Sequence, residues 1–170
     1  HVASEKALQL ASNSGKIVVV VEKTAANING GTITTASLKN NGKLTITGAE
    51  MTGTINNSGE VAITNGTIEK IGDNVLYNEG NAELNNVTAN MTESTGYISN
   101  SRTDNSVTEF NDVTFTSTGG GINVWQGEAI FNSGAITTNS TATSQRHVFY
   151  VADGGKYCLS VPQGAQNHNA

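Results

Sequence analysis

Short stretches of alternating apolar and polar residues recur along the chain, and each begins at a glycine or another turn-forming residue. In most copies the second and fourth residues after the turn residue are apolar, and another apolar residue returns about nine positions after it. Alternation with a period of two predicts short strands with one buried face. The copies begin at Gly15, Gly42, Gly59, Gly80, Ser106, Gly127 and Gly155.

The spacing of the copies predicts that they stack. Successive copies are separated by 17 to 28 residues, which is too short for each to enclose a core of its own. A sandwich of hairpins would instead favour two-residue turns between paired alternations of equal length. The sequence therefore predicts an all-β fold, a right-handed parallel β-helix (solenoid) of about six or seven rungs. Six residues after the turn residue most copies carry a small or turn-forming residue, which predicts a corner there: Gly48, Asn65, Asn86, Asp112 and Ser133.

The first residues follow a different pattern. Ser4 precedes apolar residues at 7, 8, 10 and 11, a helical spacing. We expect residues 1–14 to form a short helix that covers the open end of the stack, because an exposed sheet edge favours aggregation. Residues 15–170 are expected to form one solenoid domain, a fragment of a longer protein.

Asparagine recurs two residues before the turn glycines, at Asn40, Asn57 and Asn78, and Asp104, Trp125 and Asp153 follow in the later copies. Stacked asparagine side chains hydrogen-bond along a column, so these positions predict an internal ladder. The alternative, that asparagine is present only because it favours turns, stays open at this point.

The N-terminal helical pattern and the runs GKIVVVV, GGTIT, GKLTITG and GEVAITNGTI resemble the right-handed parallel β-helix proteins of the pectate-lyase-like superfold. Nearly the whole chain is covered, and it is most similar to repeat-rich segments of bacterial cell-surface and adhesin-like proteins. The resembling motifs are structural. They imply the fold strongly and the function weakly, because this superfold hosts lyases, hydrolases, adhesins and phage spikes.

Composition excludes several classes of function. Charged residues make up 14% of the chain, the net charge is −5, and no basic run exists to replace the counterions of a nucleic acid. The longest apolar run, residues 17–21, is too short to span a bilayer. The histidines lack the spacing of metal ligands, so neither a metal nor a cofactor is predicted.

Catalytic residues are not predicted either. The strongest charged cluster comprises Arg102, Asp104, Glu109 and Asp112, and Glu83 and Glu109 occupy equivalent outward positions of consecutive copies, about one strand spacing apart. Without a matching series of arginine or aspartate we interpret these carboxylates as a solvated face. His147, Asp153 and Cys158 lie close in sequence but lack a nucleophile elbow.

Aromatic residues supply the best binding candidates. Tyr77, Trp125 and Tyr150 fall in the strand before a turn glycine, and Tyr97 lies in the corresponding segment of its own copy. If these rings point outward they form a platform for stacking on sugar rings; the alternative is that they fill the interior or cover its end. The candidate ligand-binding residues are Tyr77, Tyr97, Arg102, Asp104, Trp125 and Tyr150.

The leading functional hypothesis is a non-catalytic extracellular module on a bacterial cell surface. It would be a stalk or an adhesin-like domain that contacts glycans or host-surface proteins, with residues 90–105 and 137–147 as displayed loops. The alternative is a carbohydrate-active β-helix enzyme, either a polysaccharide lyase or a glycoside hydrolase, or an inactive relative. The oligomeric state does not follow from the sequence.

Overall fold

The computed structural model describes residues 9–11, 25–92, 96–139 and 147–160. Every regular element in these ranges is a β-strand. The strands are β1 (Gln9–Ala11), β2 (Ala25–Asn29), β3 (Thr32–Asn40), β4 (Lys43–Thr47), β5 (Glu50–Asn57), β6 (Glu60–Thr64), β7 (Thr67–Ile71), β8 (Leu76–Asn78), β9 (Asn81–Asn85), β10 (Thr88–Thr92), β11 (Tyr97–Ser101), β12 (Val107–Asn111), β13 (Val113–Ser117), β14 (Gly120–Val124), β15 (Gly127–Phe131), β16 (Gly134–Thr138), β17 (Phe149–Val151) and β18 (Gly155–Leu159).

The strands stack in parallel on three faces. The first face is a seven-stranded sheet in the order β2, β4, β6, β9, β12, β15 and β18. The other sheet divides into two faces: the long strands β3 and β5 pair along both halves, and β5 then pairs with β7 at its first half and with β8 at its second. The second face continues from their first halves through β7, β10, β13 and β16, and the third from their second halves through β8, β11, β14 and β17. The predicted all-β parallel solenoid is confirmed.

The solenoid has about five turns that are stacked between neighbours on both sides. On the first face these turns begin at β4, β6, β9, β12 and β15, whereas β2 and β18 have a neighbour on one side only within the described residues. The sequence predicted about six or seven rungs. That number is too high for the enclosed turns, because the repeats at the two ends form the boundary of the stack.

The predicted N-terminal helix is wrong for the part of it that the structure describes. Residues Gln9–Ala11 form β1, which pairs in parallel register with Thr32–Thr34 at the start of β3. A strand there occupies the hydrogen-bonding groups of the sheet edge, which a helix lying over the edge would leave unpaired. The other residues of 1–14, and the GKIVVVV run, lie outside the described residues.

The inward residues of the three faces form one apolar column. Leu44 and Val61 are 0% and 3% exposed on the first face, and Met51 and Ile68 are equally buried on the second. Phe110 is fully buried in the centre, where it contacts other phenylalanine rings. Removal of these side chains from water stabilises the stack, because a single short repeat cannot bury enough apolar surface by itself. The predicted inward positions are confirmed for the copies that begin at Gly42, Gly59, Gly80 and Ser106, whereas Tyr157 and Leu159 of the last copy are 51% and 42% exposed, since no further turn covers them within the described residues.

A ladder of buried asparagines runs inside the solenoid between the third and first faces. Asn40 Nδ2 donates to Asn57 Oδ1 at 2.7 Å, and Asn57 Nδ2 donates to Asn78 Oδ1 at 2.8 Å. Asn78 Nδ2 then donates to Thr108 Oγ1 at 2.9 Å. Each side chain is 0–1% exposed, so the ladder satisfies amides that would be costly to bury unpaired. The predicted ladder is confirmed for these three asparagines.

The predicted continuation of the ladder through Asp104, Trp125 and Asp153 is wrong. Ser101 takes the next position, since it pairs with Asn78 on the third face and its Oγ lies 3.2 Å from the Thr108 hydroxyl. The corner after Ser101 contains three more residues than the corner after Asn78, which shifts Asp104 out to an exposed position.

Backbone geometry explains the two kinds of corner. At the predicted corner after the first face the chain has a positive φ of 65° at Gly48, 54° at Asn65, 52° at Asn86 and 52° at Asp112. Glycine, asparagine and aspartate tolerate this conformation better than β-branched residues do. The corner before the first face needs glycine for space, because a Cβ at Gly59 would collide with a backbone oxygen of the preceding turn.

The expected displayed loops are only partly loops. Strand β10 extends to Thr92, β11 covers Tyr97–Ser101 and β16 extends to Thr138, so the loop prediction is wrong for residues 90–92, 97–101 and 137–138. Residues 93–95 and 140–146 lie outside the described residues. In the described part of the chain we find no helix long and apolar enough to cross a membrane.

Candidate functional site

Four of the six candidate ligand-binding residues meet on the outer surface of the third face. Tyr77 lies on β8, Arg102 directly follows β11, Trp125 directly follows β14, and Tyr150 lies on β17. Because these four strands are consecutive neighbours in the sheet, the four side chains come from four successive turns. Residues up to 73 positions apart in sequence are thus placed next to each other.

The four groups form a continuous row. The Arg102 Cζ atom lies 5.8 Å from the centroid of the Tyr77 ring and 5.6 Å from that of the Trp125 ring. Trp125 and Tyr150 follow with centroids 5.9 Å apart and ring planes at 56°. His147 stacks on Tyr150, with centroids 6.2 Å apart and planes at 9°. These five side chains are named here the third-face patch. The arginine distances lie within the range of cation–π attraction.

Strand register fixes the positions of the patch residues. The backbone N–H of Arg102 donates to the carbonyl of Asn78, and that of Trp125 donates to the carbonyl of Ser101, both at 3.0 Å. The two side chains therefore occupy the same outward position on adjacent turns. Tyr77 and Tyr150 lie in a second outward column, which is two residues before the Arg102 position in each turn. In this column Asn100 and Asn123 lie between the two tyrosines.

A groove of about 650 Å³ runs beside the patch. Trp125 is 43% exposed at its edge, an unusual position for a residue of this type. The volume is within the usual range of small-ligand sites, and the lining combines aromatic rings with charged and amide groups. The lining residues are Arg102, Trp125, Gln126, Tyr150, Val151, Ala152 and Asp153.

Tyr97 and Asp104 do not join the patch. The Tyr97 ring packs over Gly120, where any side chain would collide with it, and its backbone N–H donates to Asn74 Oδ1 at 2.8 Å. Asp104 is exposed at the long corner before the first face and lines a separate cavity with Gly127 and Lys156. Sequence reasoning missed His147 and Gln126, and neither residue had a positional signal in the repeat.

Carboxylates on the first face form a second arrangement. Glu83 and Glu109 are paired in register on adjacent strands, as the sequence predicted. Asn85 donates to Glu83 Oε1 at 2.9 Å, and Asn132 donates to Glu109 Oε1 at 2.7 Å. Neutral amides thus hydrogen-bond to both carboxylates. The basic residue that lines their groove is Lys43, and its Nζ atom lies 3.3 Å from Oε2 of a different carboxylate, Glu60.

The asparagines next to these carboxylates form an external ladder that the sequence analysis missed. Asn111 Nδ2 donates to Asn85 Oδ1 at 2.9 Å, and Asn132 Nδ2 donates to Asn111 Oδ1 at 2.8 Å. In three consecutive copies, the asparagine directly follows the apolar residue that lies four positions after the turn residue. This regular spacing could have predicted the ladder from the sequence. The ladder ties the outer surface of the first face together.

Residues that sequence proximity suggested as a catalytic group are separated by the fold. Cys158 pairs with Ile130 on the first face, whereas His147 belongs to the third-face patch. Among the described residues, no group of three or more histidines, cysteines or carboxylates is arranged to hold a metal ion.

No protein-family model matches the chain, and neither a curated protein nor a solved structure matches it. The function is therefore argued from the residues of the site, because a solenoid fold hosts many unrelated activities.

Proposed function

We propose that this chain is a non-catalytic extracellular module of a bacterial cell surface, a stalk or adhesin-like domain that contacts glycans through the third-face patch. The observation that carries the proposal is the row of Tyr77, Arg102, Trp125 and Tyr150 on four successive turns. Aromatic rings present flat apolar surfaces to the C–H faces of sugars, and the neighbouring polar groups hydrogen-bond to hydroxyls.

The length of the row suits an oligosaccharide. Neighbouring strands lie about 4.8 Å apart, so four successive turns span roughly 14 Å. A ligand of several sugar rings therefore contacts more of the patch than a monosaccharide does. The groove adds Gln126 and Asp153 as hydrogen-bonding groups beside the rings.

Rigidity supports both the binding role and the stalk role. The patch residues are attached to strands whose register is held by the buried core and by the asparagine ladders inside and outside the solenoid. A surface that is ordered before binding loses little conformational entropy when the ligand arrives. The same stacking makes the module a stiff spacer.

The lining of the groove favours binding over hydrolysis. Glycoside hydrolysis uses two carboxyl groups on either side of the scissile bond. Among the described residues that line the groove, Asp153 is the only carboxylate. The carboxylate pair of the first face lies on a different face and is hydrogen-bonded to amides.

A glycan array tests the binding proposal. We expect the chain to bind a subset of oligosaccharides, and Trp125→Ala to reduce that binding about five- to thirty-fold, since stacking on an exposed aromatic ring contributes on the order of 1–2 kcal/mol. Tyr157→Ala is the matched control, because Tyr157 is a 51% exposed aromatic residue at the end of the first face. Equal loss in both variants, or no loss in Trp125→Ala, would refute the site.

Incubation with a polysaccharide panel tests the non-catalytic assignment. We expect no release of reducing ends or unsaturated products from any substrate. Product release that is abolished by Glu109→Ala or Asp104→Ala would replace the proposal with the enzymatic alternative.

A further inference from the structure

The guanidinium of Arg102 has unused hydrogen-bonding capacity. Its Cζ atom lies over the rings of Tyr77 and Trp125, and the side chain is exposed. Among the residues that the structure describes, it makes neither an ion pair nor a side-chain hydrogen bond. The N–H donors of the guanidinium are therefore available to an oxyanion.

Arg102 is also the only cationic residue in the described lining of the groove. Two carboxylates lie nearby: Glu79 holds the same outward position one turn earlier, and Asp153 lines the same groove. The whole chain carries a net charge of −5. A ligand with closely repeated negative charges would meet repulsion on either side of a single favourable contact.

The rest of the patch is suited to uncharged sugar. Trp125 and Tyr150 offer ring surfaces, and Gln126 offers an amide that both donates and accepts. The arrangement therefore combines one position for an oxyanion with several positions for neutral rings.

We propose that the third-face patch selects oligosaccharides with a single acidic group, a carboxylate or a sulfate ester, on an otherwise neutral chain. The acidic group pairs with the edge of the Arg102 guanidinium while a neighbouring neutral ring stacks on Trp125. This inference rests on the proposed function, since it names the ligand class of the same site.

Calorimetric titration of the full 170-residue chain with matched ligands tests the inference. The probes are 3′-sialyllactose, 3′-sulfolactose and lactose, with a galacturonic acid trimer as the polyanion. We expect the two singly charged sugars to bind about ten-fold more tightly than lactose, the advantage of one charge-assisted hydrogen bond. Comparison of the sialyl and sulfo ligands shows which oxyanion is preferred.

Two charge variants separate the role of Arg102 from that of stacking. Arg102→Gln keeps a planar polar group and should abolish the ten-fold preference for the charged sugars over lactose. Asp153→Asn removes a competing negative charge from the groove and should widen the preference for charged sugars over lactose several-fold. Each variant is checked for folding by its circular dichroism spectrum.

The results distinguish failure of this inference from failure of the proposed function. Equal binding of lactose and its charged derivatives by the unaltered chain, or a preference that survives in Arg102→Gln, overturns the inference alone. Tighter binding of the galacturonic acid trimer than of the singly charged sugars overturns it as well. If neither these probes nor any glycan on the array binds, the proposed function fails and the inference fails with it.

Discussion

Replacement of Asn57 by alanine tests the internal ladder that holds the turns together. Asn57 is 1% exposed and lies at the centre of the asparagine column. Its Oδ1 accepts hydrogen bonds from Asn40 Nδ2 at 2.7 Å and from the backbone N–H of Gly59 at 3.3 Å. Its Nδ2 donates to Asn78 Oδ1 at 2.8 Å and to the backbone oxygens of Gly59 and Asn81 at 3.1 and 2.9 Å.

The loss of these contacts sets the expected magnitude. A protein hydrogen bond contributes about 1 kcal/mol net, and a buried group left without its partner costs about 1–3 kcal/mol. Asn40 and Asn78 keep other partners, which moderates the cost. We therefore expect Asn57→Ala to lower the free energy of unfolding by about 3 to 5 kcal/mol.

Urea unfolding followed by circular dichroism measures this change, and Asn27→Ala provides the control. Asn27 occupies an exposed outward position on β2, so the same substitution there should change the free energy by less than about 0.5 kcal/mol. A loss below about 1 kcal/mol for Asn57→Ala would contradict the reasoning, because surrounding groups would then replace the ladder without cost.

The same unfolding measurement checks three further substitutions. Phe110→Ala removes a fully buried ring and should cost about 3 to 5 kcal/mol; a cost below about 1 kcal/mol would mean that the interior collapses around the vacancy. Gly48→Ala places a side chain at a φ of 65° in open space and should lower the free energy of unfolding by about 1 kcal/mol. Gly59→Ala should lower it further, because the added Cβ would collide with the backbone of the preceding turn. The reverse order would refute the two explanations of the corners. Glu60→Gln breaks the exposed ion pair with Lys43 and should change the free energy by less than about 1 kcal/mol, so a larger loss would show that this pair is more than a surface contact.

The buried columns were predictable because each position of the repeat has one environment. Leu44, Val61 and Ala82 are all second after their turn glycine, and all three pair in register on the first face. A period of two leaves no alternative once one member of the column is buried. The corner asparagines followed from backbone preference in the same way.

Insertions limited what the repeat could predict. The ladder prediction failed at Asp104, because three extra residues at that corner moved it away from the position that Ser101 occupies. Similar local patterns also lie on different faces: the TIT run at 32–34 begins the second face, and the run at 45–47 belongs to the first. Turn length, which local alternation does not encode, decides the face.

The binding candidates were only partly predictable for a related reason. Aromatic residues before the turn glycines were visible in the sequence, but which of them share a surface depends on the number of residues in each turn. Tyr77, Trp125 and Tyr150 fall in neighbouring outward positions, whereas Tyr97 begins its strand four residues before Ser101 and packs over Gly120 instead. The contact of Arg102 with two rings required the stacking of three turns.

Trp125 gives a direct measurement of the central claim, because it is the only tryptophan in the chain and lies in the third-face patch. The chain is titrated with an oligosaccharide that it binds on the array, and tryptophan emission is recorded beside the calorimetric heat. We expect a saturable change in emission with the same midpoint as the heat. Heat of binding without any change in Trp125 emission would place the ligand elsewhere and contradict the claim.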